Sequence, residues 1–111
     1  MKIDFNTIDR GEISNYPKAS QLIINSTKKW IDFWQQHSSE AVPQINFEKD
    51  LVVAVVAGEK PTSSYSVEVI GVDNTDSQVT ITATYGQPRP EVGIRQIITN
   101  PYHIIQISQL T

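Results

Sequence analysis

Leu51-Val52-Val53-Ala54-Val55-Val56-Ala57 contains no polar side chain, and Gly58 follows it directly. Valine stiffens χ1 and suits a pleated surface, so the run favours a strand over a helix. A strand that is apolar at consecutive positions has both faces covered, so residues 51–57 are expected to form a central strand. The rest of the chain must supply what covers it.

Downstream, Glu59-Lys60-Pro61-Thr62-Ser63-Ser64 is a polar loop. Residues 65–72 then alternate, with Tyr65, Val67 and Val69 on one face. Asp73-Asn74-Thr75-Asp76-Ser77 is a turn cluster. Residues 78–85 alternate again, with Val79, Ile81, Ala83 and Tyr85 opposite Thr80, Thr82 and Thr84. Two alternating runs joined by a polar turn make a hairpin, and the threonine row reads as its solvated face. Gly86-Gln87-Pro88-Arg89-Pro90-Glu91-Val92-Gly93 cannot be a regular strand, because proline donates no hydrogen bond. Residues 94–99 are expected to be extended, Asn100-Pro101 to break the chain, and residues 102–110 to form a last strand with Ile105 and Ile107 facing one way.

Upstream, residues 38–50 form a connector containing Pro43. Trp30, Phe33, Trp34 and His37 fall on one helical stripe, with Ser26 or Thr27 placed to cap a helix over residues 27–38. About three turns cannot persist alone, so the helix must dock on a sheet. Trp30 and Trp34 are expected to lie against the sheet that holds Val53 and Val55. Residues 21–24 and 13–16 read as short strands. Residues 2–7 read as an edge strand, with Ile3 and Phe5 pointing one way, Asp4 and Asn6 the other, and Gly11 breaking it. The pattern is α+β: a mostly antiparallel sheet, or a small sandwich or barrel, with one docked amphipathic helix. At 111 residues it fits a single domain spanning 1–111.

The formal net charge is −3, and the longest basic run is Lys28-Lys29, so the electrostatic footprint of a nucleic-acid binder is absent. The chain lacks cysteine, which excludes disulfides and thiolate chemistry. No apolar run is long enough to span a bilayer. Residues 1–6 show no apolar h-region, so no signal peptide is expected. The compartment stays open: cytoplasmic as the sequence stands, exported if a leader has been removed.

Catalytic patterns are sparse. His37 and His103 are the only histidines, and each reads as a packing or capping residue rather than a metal ligand. Ser63-Ser64 lies in a loop without a G-x-S-x-G elbow. Residues 58–64 lack the second glycine and the Lys-Ser/Thr ending of a phosphate loop. The acidic residues are spread singly. The Trp30, Phe33, Trp34 stripe reads as core before it reads as a stacking surface for a ligand. No enzymatic activity, cofactor or metal is expected.

The order of features carries a further signal. Phe47-Glu48-Lys49-Asp50 leads into the valine run, then come Lys60-Pro61-Thr62, the hairpin, the proline loop, and Gln96-Ile97-Ile98-Thr99-Asn100-Pro101-Tyr102-His103-Ile104-Ile105. Upstream, residues 30–34 match a W-x-x-F/L-W helix. This order resembles the C-terminal domain of the PrcB family of bacterial protease-complex subunits. The resemblance implies a non-catalytic accessory or stabilising module that works through a protein partner, for which a subtilisin-like protease is the family's context. The alternative is a domain that binds a small molecule or peptide in a cleft beside the tryptophan helix. Two departures stand out. Ser63-Ser64 occupies a turn where the family often has glycine, and the export signal common in the family is missing.

A partner site is expected on two loops. Residues 58–64 enter the hairpin and residues 86–93 leave it, so antiparallel pairing gathers both at one end. They carry Pro61, Tyr65, Arg89 and Pro90, with Arg95 close behind. Proline limits the entropy lost on ordering, and Tyr and Arg anchor interfaces.

Overall fold

The computed structural model describes residues 2–75, 78–89 and 93–108. Six strands and one helix follow in the order β1 (Phe5–Gly11), β2 (Ser20–Ile24), α1 (Thr27–His37), β3 (Asp50–Val56), β4 (Ser66–Thr75), β5 (Gln78–Gly86) and β6 (Tyr102–Ser108). The main sheet has the order β1-β6-β3-β2 and every pairing in it is antiparallel. The β4–β5 hairpin forms a second, two-stranded sheet. The α+β reading therefore holds, with the helix on one face of the main sheet and the hairpin on the other.

This arrangement explains the valine run. Val52, Ala54 and Val56 point to the helix face and join Ile24, Trp30, Phe33, Trp34, Tyr102 and Ile104 in one core. Val53 and Val55 point the other way and join Val67, Val69, Val72, Ile105 and Ile107 in a second core beneath the hairpin. The tryptophans do dock on the expected sheet. The residues they meet are the alternate set, because consecutive side chains of a strand face opposite ways.

Ser26 caps α1 by accepting from the Lys29 amide at 3.3 Å. The two indole N–H groups are spent on the 38–50 connector: Trp30 donates to the Pro43 carbonyl at 2.8 Å and Trp34 to the Glu40 carbonyl at 2.9 Å. Two bulges adjust which side chains face inward. One between Val69 and Gly71 moves the inward position from an odd to an even number, so Val67, Val69 and Val72 all reach the core while Ile70 stays exposed. The other, between Thr7 and Asp9, lets Phe5 face the hairpin core and Ile8 the helix core.

Some boundaries differ from the sequence reading. The first strand runs from Phe5 to Gly11 rather than over residues 2–7, and Gly11 is its last residue, paired with Tyr102. Residues 13–16 form no strand. Ile13 makes an isolated parallel bridge to Asn100, and the Asn15 amide donates to the His37 carbonyl, so this segment's backbone bonds go to scattered partners. The hairpin ladder runs through Asp73 and Asn74 to the Thr75–Gln78 pair, deeper than the polar cluster implied. Residues 94–98 belong to no strand, and Thr99 makes only an isolated bridge to Lys60.

Candidate functional site

Ser66 pairs with Gly86, so the loops that enter and leave the hairpin lie at one end of it, as antiparallel geometry requires. A Cβ on Gly86 would fall 2.3 Å from the Ser66 hydroxyl oxygen, so this crossing is close enough to need glycine or a moved serine. Residues 60–63 are bound to residues 95–99 along their length. Lys60 and Thr99 exchange both backbone hydrogen bonds, at 2.7 and 2.9 Å. The Ser63 amide donates to the Arg95 carbonyl at 3.0 Å, and the Arg95 amide donates to the Ser63 hydroxyl at 2.7 Å. The Thr99 hydroxyl donates to the Thr62 carbonyl at 2.8 Å. Ser63 is buried by these bonds, and Ser64 beside it is held at φ 72°, in the left-handed region.

Of the anticipated contact residues, Pro61, Tyr65 and Arg95 are brought together on this bound pair of segments. Pro61 is exposed, Tyr65 half-buried and Arg95 exposed. The Lys60 ammonium sits 5.7 Å from the Tyr65 ring centre, and Arg95 reaches Glu12 at 3.9 Å. Arg89 is exposed a few residues beyond β5. Pro90 lies outside the described residues. The sequence reading passed over Ile94, Ile97 and Ile98, which are all exposed, Ile98 at 66%. Their gaps of three and one are those of a helical stripe, yet residues 93–98 form neither helix nor strand, so periodicity says nothing of their exposure.

Asn100 holds this end to the rest of the domain. Its side-chain amide donates to the Ser14 and Tyr16 carbonyls at 3.1 and 2.8 Å, and its side-chain oxygen accepts from the Gly58 amide at 2.9 Å. Gly58 has φ 89°, a conformation that glycine adopts without strain.

The two histidines lie on opposite faces of β6 and do different work. His103 accepts from the Val69 amide on Nδ1 at 2.9 Å, which leaves the proton on Nε2, 2.8 Å from the Thr7 hydroxyl. It thus joins the hairpin to β6 and β1. Burial, helped by Arg10, lowers its pKa below the usual histidine value, against a smaller opposing pull from Glu68. His37 is buried between Ser14 and Asp9, with Nδ1 2.7 Å from the Ser14 hydroxyl and Nε2 3.1 Å from the Asp9 carboxylate. The Tyr102 hydroxyl also donates to Asp9, and burial foremost, then that carboxylate, pushes its pKa far above the usual tyrosine value.

Serine, histidine and aspartate in a chain invite a catalytic reading, which sequence spacing did not expose. The geometry argues for a structural role. Ser14 is 5% exposed and its hydroxyl also accepts from the Tyr16 amide at 3.1 Å. A nucleophile needs an open position about 3 Å away where a reacting carbon can sit. Among the described residues there is also no group of three or more His, Asp or Glu side chains arranged to hold a metal ion, and no helix long and apolar enough to cross a membrane.

Two of the grooves on the surface have apolar walls. One of about 610 Å³ lies beside the tryptophan helix, walled by Trp30, Ile31, Val42, Pro43 and Ile45. The other, of about 390 Å³, lies between β2 and β5.

Fold and surface together describe a small antiparallel β domain with a docked helix, whose accessible features are loops and grooves. A family model described as PrcB C-terminal matches residues 51–108, from β3 through β6. The chain belongs to this family. No curated protein and no solved structure matches it significantly.

Proposed function

We propose that this domain is a non-catalytic accessory module that acts by binding a protein, in the setting its family name implies: a bacterial protease complex, with a subtilisin-like protease as the partner. The observation that supports this most is the end of the molecule formed by residues 60–65 and 93–98. Exposed isoleucines 94, 97 and 98 sit beside Pro61, Tyr65 and Arg95 on backbone already fixed by hydrogen bonds. Exposed apolar side chains on a pre-ordered loop lose little entropy on docking, and Tyr and Arg supply anchors. Arg89, exposed beyond β5, is a further proposed contact.

The test changes Tyr65, Arg89, Arg95 and Ile98 to alanine one at a time. Recovery of the native partner from a bacterial extract is then measured by mass spectrometry. Loss of a stoichiometric protease or surface protein with Tyr65→Ala, Arg95→Ala or Ile98→Ala is expected. Unchanged recovery by all four folded variants rules this face out. A second reading, a small molecule or peptide beside the tryptophan helix, is favoured by the apolar walls of that groove. Binding that responds to Ile31→Lys and to none of the loop variants selects it.

A further inference from the structure

The sheet edges are treated unequally. Where β4 faces β1 and β6, its backbone is engaged: the Ile3 amide donates to the Val72 carbonyl at 2.9 Å, Arg10 Nε donates to the Val67 carbonyl at 3.2 Å, and His103 accepts from Val69. On the opposite side of the molecule, among the described residues, β2 pairs only with β3, and β5 only with β4. Neither strand contains a charged residue or a proline, the usual guards of an exposed edge. Between them lies the smaller groove, lined by Ile23, Val53, Val55, Ile81, Ala83 and Tyr85, where the hairpin core opens to solvent. Ile23 is 62% exposed there. One polar contact crosses the opening, Gln21 Nε2 donating to the Tyr85 hydroxyl at 3.0 Å.

At the Gln21–Tyr85 end the groove runs into a second hollow lined by Ser20, Val56, Ala57 and Lys60. Lys18, exposed, immediately precedes it in the chain. No acidic side chain lines either hollow. An apolar trough bordered by open strand edges, with Lys60 at one mouth and Lys18 next to that lining in sequence, in a chain of net charge −3, is complementary to one kind of occupant. We propose that the open side between β2 and β5 receives an extended apolar peptide segment of a partner protein. The segment adds as a strand to the β2 edge, sends alternate side chains onto Ile23, Ile81 and Ala83, and places a carboxylate at the end near Lys60. This goes beyond the loop face, and neither Arg95 nor Ile98 lines the groove, so the two readings fail separately.

The experiment uses an array of short fluorescein-labelled peptides, with inward positions varied over valine, leucine, isoleucine and phenylalanine, threonine between them, and aspartate or lysine at the C-terminal end. Binding to the full chain is measured by anisotropy. Saturable binding is expected, weakened about tenfold or more by Ile23→Lys and by the lysine ending, with Ile31→Lys in the other groove unchanged. The Lys18→Glu, Lys60→Glu pair should reverse the preference for aspartate. N-methylation of the best peptide at every second residue, in both phases, should abolish binding in one phase, since that phase presents its N–H groups to β2. Ile23 is exposed, so its variant is expected to keep the parent melting temperature, which is checked. No saturable binding across the array, or equal binding by both N-methylated phases, overturns the proposal. So does a concentration-dependent dimer, seen by sedimentation and lost in Ile23→Lys, because the edge then pairs with a second copy.

Discussion

Replacing Asn100 with alanine removes three side-chain hydrogen bonds, to the Gly58 amide and to the Ser14 and Tyr16 carbonyls. A hydrogen bond contributes about 1 kcal/mol net, and a buried group left without a partner costs about 1–3 kcal/mol. Gly58 is buried, so its amide cannot turn to water. The expected loss is therefore about 3–5 kcal/mol, against a total stability of about 5–15 kcal/mol for a small domain. Urea unfolding followed by tryptophan fluorescence reads this directly. With a slope of about 1–3 kcal/mol per molar, the midpoint should fall by about 1–5 M at unchanged slope. Asn100→Asp should do no better, because it keeps the acceptor for Gly58 but turns a carboxylate onto two carbonyls. A loss under about 1 kcal/mol for Asn100→Ala would refute the view that this one side chain holds the loop end to residues 14–16.

Trp34→Ala should cost about 3–5 kcal/mol, because the ring is buried in the helix-side core; a melting temperature within a degree or two of wild type would mean the helix is not docked as described. Ser64→Gly should stabilise the protein by about 1 kcal/mol by relieving a left-handed backbone, and a lowered midpoint in the same urea assay would count against strain at that turn. His103 has a folded pKa below its unfolded value of about 6.5. Above that value both states are neutral and its bonds contribute fully. As pH falls below it, the unfolded chain takes up the proton first and stability drops until the folded pKa is passed. The stability difference between wild type and His103→Gln should therefore shrink between neutral and mildly acidic pH, and a difference independent of pH would contradict the role given to Nδ1.

The layering of this fold was legible because burial on both faces leaves an unbroken apolar run, and residues 51–57 have one. The helix was legible from the spacing of Trp30, Phe33, Trp34 and His37, and the hairpin from two alternating runs. Which valines face the helix was not, since a run apolar at every position carries no phase. The bulge at Val69–Gly71 was hidden for a related reason: alternation counted through residue 71 gives the wrong inward residue, and only Val72 in the core reveals the shift. At the loop end, connectivity alone showed that the segments entering and leaving the hairpin share one end. Ile94, Ile97 and Ile98 were missed because their exposure follows from hydrogen bonds between residues 60–63 and 95–99, distant in sequence. The Asp9–His37–Ser14 chain was invisible for the same reason.

The last strand in chain order occupies a central place in the main sheet, with β1 on one side and β3 on the other. Phe5 is paired with Ile107. During synthesis, β1 therefore has no partner until residues 102–108 have been made, and β3 waits with one side open. Such non-local closure slows folding and leaves strand edges available to other chains in the interval. A nascent chain stalled before Tyr102 would hold the helix, the hairpin and most of the valine core, yet could complete neither of its two hydrophobic layers.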